Sequence, residues 1–113
     1  MNVNLSKAIR QGDVLVVPLE EMPAEAMTKL NKRLIRKGEN GGSHQLETLD
    51  KASLFVPTKP ASLIEGLFGM VIAVSDDTRI VHTEHKPVAL TKGVYGVIIQ
   101  REYLNNSVRN VLD

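Results

Sequence analysis

The sequence predicts an all-β domain, a small β-sandwich or barrel of seven to eight short strands with one short helix. Three observations predict this class. Apolar runs rich in Val and Ile recur along the chain, turn residues separate them at short intervals, and helical spacing is confined to short stretches. The predicted strands span residues 13–19, 32–37, 44–49, 52–56, 67–74, 78–84, 87–90 and 94–103.

The first half of the chain contains the clearest strand and the predicted helix. Residues 13–19 (DVLVVPL) follow Gly12 and are almost entirely apolar, which predicts burial on both faces of the strand or on one face and a partner. Residues 23–30 begin with Pro, have an acid in the first turn and repeat apolar residues at helical spacing, so we expect a short helix there. A strand over 32–37 follows, the alternative being a helix that continues through Leu34 and ends at Gly38. The glycine-rich residues 38–43 (GENGGS) form a flexible turn.

In the second half, turn signals divide the apolar runs. Pro57 and Pro60 predict a loop, because prolines three apart do not fit a central strand. Residues 75–77 (SDD) and 91–93 (TKG) predict tight turns. Residues 105–112 predict a terminal helical turn with Asn105, Asn106 or Ser107 as its cap.

Composition sets limits on the function. The 113 residues fit one domain, with residues 1–11 as an N-terminal arm and 104–113 as a C-terminal tail. The absence of cysteine excludes disulfides, thiolate metal sites and cysteine nucleophiles. Two Phe, two Tyr and no Trp leave few platforms on which nucleic-acid bases stack, and a net charge of +1 excludes steering of the whole molecule toward a polyanion.

All three histidines lie in two polar motifs, Gly41-Gly42-Ser43-His44 and His82-Thr83-Glu84-His85. Three histidines are the ligand number of an open catalytic zinc site, and Glu84 and Glu102 offer carboxylates. On a strand His85 points away from His82, so a bend at His85 is needed to bring its imidazole round. The alternatives are polar histidines at strand ends that bind no cofactor, or a proton-transfer role. The candidate ligands of a divalent metal such as zinc are His44, His82, His85 and Glu84.

Short motifs along most of the chain carry a family resemblance. They are QGDVLVVP at 11–18, a Gly-x-x-His element ending at His44, His-x-Glu-His-x-Pro at 82–87, Gly-x-Tyr at 93–95, Gln-Arg-Glu-Tyr at 100–103 and the tail at 107–111. In these motifs the chain resembles a family of small, largely uncharacterised proteins of bacteria and phages. That family has a Gly-His-x-His element, and this chain has Gly42 in place of its first histidine. The resemblance implies no settled activity.

A basic segment occupies residues 29–37, which hold five basic residues and no acidic one. Such a cluster binds phosphates with a steep salt dependence, faces an acidic protein, or is a solvated surface that protects a sheet edge. Near the end of the chain, an arginine followed by an acid either binds an anion or pairs with a carboxylate to hold the C-terminal segment. The candidate anion- or partner-binding residues are Lys29, Lys32, Arg33, Arg36, Lys37 and Arg101.

The chain lacks the phosphate-loop, nucleophile-elbow and EF-hand patterns. We therefore expect a non-enzymatic structural or interaction module without a cofactor, phage-encoded and capsid-associated as a minor or decoration-type protein. Its partner is another protein or copies of itself, with nucleic acid as a further possibility through residues 29–37. The alternative is a metal-dependent enzyme or ligand-binding β-domain that uses the three histidines.

The expected location follows from the absence of targeting signals. The first 13 residues lack the apolar core of a signal peptide, and the longest apolar stretch, 67–74, is too short to span a bilayer. We expect a protein of the host cytoplasm or of the virion that is not secreted through a signal peptide and has no membrane partner.

Overall fold

The computed structural model describes residues 5–37, 42–59 and 68–99. Within these ranges the chain forms ten strands and a three-residue 3-10 helix at Leu5–Lys7. The strands are β1 Ile9–Gln11, β2 Val14–Leu19, β3 Met27–Leu30, β4 Leu34–Lys37, β5 Ser43–Leu46, β6 Ala52–Pro57, β7 Met70–Val74, β8 Thr78–Val81, β9 Val88–Leu90 and β10 Gly93–Ile99. The all-β prediction is confirmed.

The strands form two antiparallel sheets. One has six strands in the order β1-β2-β10-β7-β6-β3, and the other has four in the order β4-β5-β8-β9. Both sheets are open, so the fold is sandwich-like and is not a closed barrel. Residues 9–11, expected as the end of an arm, form β1, which pairs with β2 at one edge of the larger sheet.

The main core lies between the sheets. Its buried residues include Leu54 and Ile72 of the larger sheet and Leu46, Ile80 and Leu90 of the smaller one. A second cluster covers the other face of the larger sheet and contains Val17, Leu19, Phe68 and Val71. Strand β2 sends Val14 and Val16 to the first cluster and Val17 and Leu19 to the second. This confirms the two-sided burial that its apolar sequence predicts.

The helix predicted over 23–30 is wrong, because residues Met27–Leu30 form β3 and pair with β6 from Met27↔Pro57 to Leu30↔Leu54. Residues three apart share one face of a helix but lie on opposite faces of a strand. Here Met27 packs against the second cluster and Leu30 against the main core, so tertiary packing uses the strand geometry. The strand expected next in the chain is present as β4.

The other predicted strands recur with shifted ends. The stretch predicted over 78–84 remains a strand only as far as Val81, and a bend over residues 83–85 replaces its end. Residues 100–103 of the last predicted strand, the predicted helical turn and the tail at 104–113 lie outside the described residues.

Candidate histidine site

The three histidines lie together at one end of the smaller sheet. β5 pairs with β8 in the register Gln45↔Val81, which places His44 beside the start of the segment that follows β8. The ring centroids of His44 and His82 are 4.4 Å apart, and those of His82 and His85 are 4.5 Å apart. His44 and His85 stack with an interplanar angle of 10° at 6.0 Å. The bend after β8 therefore brings the third imidazole round, and these residues form what we call the histidine cluster.

Two glycines make room for this packing. Gly12 has a φ of 58°, and a Cβ atom there would lie 2.7 Å from Nε2 of His85 and 3.3 Å from Cε1 of His44. A Cβ atom on Gly42 would lie 2.5 Å from Cε1 of His82. The contacts at 2.7 Å and 2.5 Å are shorter than real Cβ atoms essentially ever show, so side chains at these positions would displace the imidazoles of His85 and His82.

A polar network fixes the orientation of His44, whose side chain is only 2% exposed. Gln11 donates from Nε2 to the carbonyl oxygens of Ile80, at 3.1 Å, and Lys86, at 2.9 Å. Its Oε1 must then face His44, and it accepts a hydrogen bond from Nδ1 at 2.8 Å. Since an amide oxygen only accepts, Nδ1 of His44 carries a proton in every charge state of this arrangement.

The other nitrogen of His44 faces a carboxylate. Its Nε2 lies 3.3 Å from Oδ1 of Asp13, and Arg36 donates from Nε to Oδ2 of the same carboxylate at 2.7 Å. Burial lowers the pKa of His44, His82 and His85 lower it further, and Asp13 acts in the opposite direction. The net direction is a lowered pKa, so protonation of Nε2 toward Asp13 requires a more acidic pH than for a free imidazole.

His82 is held by the bend that follows β8. Its Nδ1 accepts hydrogen bonds from the backbone N–H groups of Glu84, at 2.9 Å, and His85, at 3.3 Å. An accepting Nδ1 carries no proton, so the neutral ring has its proton on Nε2. His82 is therefore a hydrogen-bond donor through Nε2, while its Nδ1 holds the two backbone N–H groups of the bend.

The same geometry bears on the metal hypothesis. Among the described residues, no group of three or more His, Asp or Glu side chains is arranged to hold a metal ion. In particular, Nδ1 of His82 accepts from the backbone and its Nε2 carries the proton, so this ring binds a metal through Nε2 only if its tautomer changes and the Nδ1 bonds break. Glu84 is exposed in the bend, and Glu102 lies outside the described residues. Nε2 of His44 and the carboxylate of Asp13 are the two metal-binding groups that already face each other.

An open pocket of about 400 Å³ adjoins the histidine cluster. Ser43, Gln45, Val81, His82 and Thr83 line it. Ser43 and Gln45 alternate along β5 with the buried His44 and Leu46, so they project from the face of the smaller sheet that lies away from the main core. The pocket is within the size range of small-molecule sites and combines hydroxyl, amide and imidazole groups with one apolar side chain.

The basic residues at 29–37 lie on and between the edge strands β3 and β4, and their side chains are either exposed or half-buried. Lys29 lies on β3 and Lys37 at the end of β4, and both are exposed, as is Lys32 between them. Arg33 donates to the carbonyl oxygen of Glu47 at 3.2 Å, and Arg36 pairs with Asp13. The three lysines and Arg33 are therefore exposed, although Arg33 also donates to a backbone carbonyl, whereas Arg36 is half-buried against Asp13. Arg101 lies outside the described residues.

Sequence reasoning missed Gln11 and Asp13 as site residues. Both flank Gly12 just before the apolar strand β2, where they read as turn residues. The need of the Gln11 amide for partners becomes visible only when the fold buries this residue at the end of β1. Its partners lie 69 and 75 residues further along the chain, and nothing in the local sequence indicates them.

Comparison with known protein families gives a match. Residues 10–100 match the model of a family described as a domain of unknown function (DUF8820). The comparisons with curated proteins and with solved structures give no match. In the ranges that the structure describes, no helix is long and apolar enough to cross a membrane.

Proposed function

This chain belongs to the DUF8820 family, whose domain has no known function, and from its site we propose that it is a ligand-binding β-domain built around the histidine cluster. The observation that carries the proposal is the convergence of His44, His82 and His85 beside an open pocket. Buried polar networks are costly unless fully hydrogen-bonded, and this one is held from both sheets. Such support is typical of a site whose geometry matters.

The three histidines have different roles in this proposal. His44 is the fixed centre, since Gln11 and Asp13 contact both of its ring nitrogens. His82 lines the pocket, and its neutral ring carries a proton on Nε2, which lies beside Gly42. His85 packs against His82 while remaining exposed, so it is the ring most able to move when a ligand enters.

The test is a binding screen in which the NMR signals of the three imidazoles are monitored. Long-range ¹H–¹⁵N NMR spectra of the untagged protein report each histidine while carboxylic acids, amides, alcohols and zinc chloride are added in turn. We expect at least one class of probe to shift the His82 signals and to do so less in Gly42→Ala, where the new Cβ displaces that ring. If no class moves any imidazole signal, the proposal is wrong.

Elemental analysis of the purified protein tests the metal version separately. Bound zinc near one ion per chain that is lost in His82→Ala and kept in Glu21→Gln, an exposed acid elsewhere, would make the ligand a metal. In that case the Nδ1 bonds of His82 must break, and the tautomer of its ring must change in the NMR spectrum.

A second function is favoured by the exposed lysines. We propose as the alternative that the chain is a non-enzymatic interaction module, phage-encoded and capsid-associated, which binds an acidic protein surface or copies of itself. Lys29, Lys32 and Lys37 support it because they lie exposed on and between the edge strands β3 and β4. Edge strands are also where another chain can add to a sheet.

Light scattering after size-exclusion chromatography, with co-sedimentation on acidic phage capsids, tests this alternative. Replacement of the three lysines by Gln should abolish co-sedimentation, whereas the matched change of the exposed Lys51, Lys59 and Lys92 should not. A monomer that never sediments with capsids contradicts it. Binding to DNA that weakens steeply with salt would make nucleic acid the partner instead.

A further inference from the structure

We propose that the pocket beside His82 binds the carboxylate group of a small organic acid. The inference rests on the proposed ligand-binding function and names the class of ligand. Its starting point is the tautomer of His82, because the backbone N–H groups of Glu84 and His85 both point at Nδ1. The neutral ring that lines the pocket therefore has an N–H donor at Nε2 and no free imidazole lone pair.

Hydroxyl groups add to this donor. Ser43 and Thr83 line the same pocket, and no hydrogen bond within the described part of the chain engages either side chain. Thr83 Oγ1 and His82 Nε2 lie close together, since both are within 3 Å of the point where a Cβ on Gly42 would be. A carboxylate has several acceptor positions and no donor, so it suits a group of neighbouring donors.

Shape and charge agree with an organic acid. The pocket also contains Val81, which offers an apolar surface to the body of the ligand beyond its charged group. Lys37 pairs with Ser43 across β4 and β5, so both side chains lie on the same face of the sheet, and the lysine is exposed. Farther along this face, Glu47 is paired with Arg79, which compensates its charge.

The experiment compares benzoate with benzamide, which has the same ring and no charge. Amide ¹H–¹⁵N spectra of the whole chain are recorded during titration with each compound. We expect benzoate to bind with millimolar affinity, to shift the signals of Ser43, His82 and Thr83, and to bind at least tenfold more tightly than benzamide. Ser43→Ala and Thr83→Val should each weaken benzoate binding about tenfold, as loss of a hydrogen bond to a charged group does.

Thr58→Val is the matched control, because it removes an exposed hydroxyl whose partner is Thr28, away from the pocket. It should leave the affinity for benzoate unchanged. Equal affinity for benzoate and benzamide, or benzoate binding that survives both pocket variants, overturns the carboxylate inference. Absence of benzoate binding also overturns it. The broader proposal stands in each of these cases if zinc or a neutral probe still shifts the imidazole signals, and it fails only if none does.

Discussion

Replacement of Gln11 by Leu should destabilise the fold strongly, although the two side chains have similar volumes. Gln11 is 2% exposed and makes three hydrogen bonds, two from Nε2 to the carbonyl oxygens of Ile80 and Lys86 and one from His44 to Oε1. Leucine satisfies none of these groups. A buried polar group without a partner costs about 1–3 kcal/mol.

The magnitude follows from where the three partners lie. The N–H of His44 is fully buried and accounts for about 2 kcal/mol, whereas the two carbonyl oxygens each have a second lone pair and together account for about 1 kcal/mol. We therefore expect a loss of about 3 kcal/mol in the free energy of unfolding. For a domain of this size, that lowers Tm by roughly 12 °C.

Urea unfolding followed by far-UV circular dichroism measures this loss. Gln45→Leu is the matched control, because Gln45 is half-buried on β5 and no hydrogen bond of the described residues involves its side chain. It should change stability by no more than about 0.5 kcal/mol. A Gln11→Leu protein as stable as the Gln45→Leu protein would refute the view that this amide holds the site together.

Three further predictions follow from the packing and charges. Gly96→Ala should lower the free energy of unfolding in urea by about 2 kcal/mol or more, because a Cβ there would lie 2.4 Å from the buried ring of Phe68. Gly69→Ala should be nearly neutral, because a Cβ there has nothing within 4 Å, and equal effects of the two changes would contradict this prediction. Because the pKa of His44 is lowered in the folded state, the unfolded chain binds the proton more tightly than the folded chain does. The free energy of unfolding should therefore be complete above about pH 7 and fall as the pH drops through about 6.5 toward the lower folded pKa. A urea midpoint that is equal or higher at acid pH would contradict this. Asp13→Asn should lower the pKa of His44 further, because it removes the carboxylate that raises it, and NMR titration of the imidazole would expose an opposite shift.

The fold class was predictable because the signals that determine it are local. Val14 to Leu19 form a continuous apolar run, and its burial in two clusters follows from alternation along a strand. Met27 and Leu30 show where local signals fail, since their spacing fits a helix and a two-sided strand equally well. Only pairing with β6, more than twenty residues away, decides between these structures.

The candidate site was predictable only in its residue types. The two histidine motifs indicated polar chemistry and the need for a bend at His85, but their convergence also depends on the β5–β8 register, which the local sequence does not specify. The supporting residues are less visible still. Arg36 belongs to a cluster of five basic residues and gives no sign that it pairs with Asp13, 23 residues earlier in the chain.

The Gln11 amide also has a consequence for how the molecule opens and folds. It lies on β1 of the larger sheet and holds the carbonyl oxygen of Ile80, 69 residues away, on β8 of the smaller sheet. Neither sheet can separate from the other without breaking this bond and exposing His44. We therefore expect the slowest-exchanging amide protons of both sheets to be released together in native-state hydrogen exchange. The contact between Gln11 and Ile80 closes a loop of 69 residues, and the entropy of that closure is lost before the contact can stabilise the fold. We therefore expect slow folding, as is typical of β-proteins with many distant contacts.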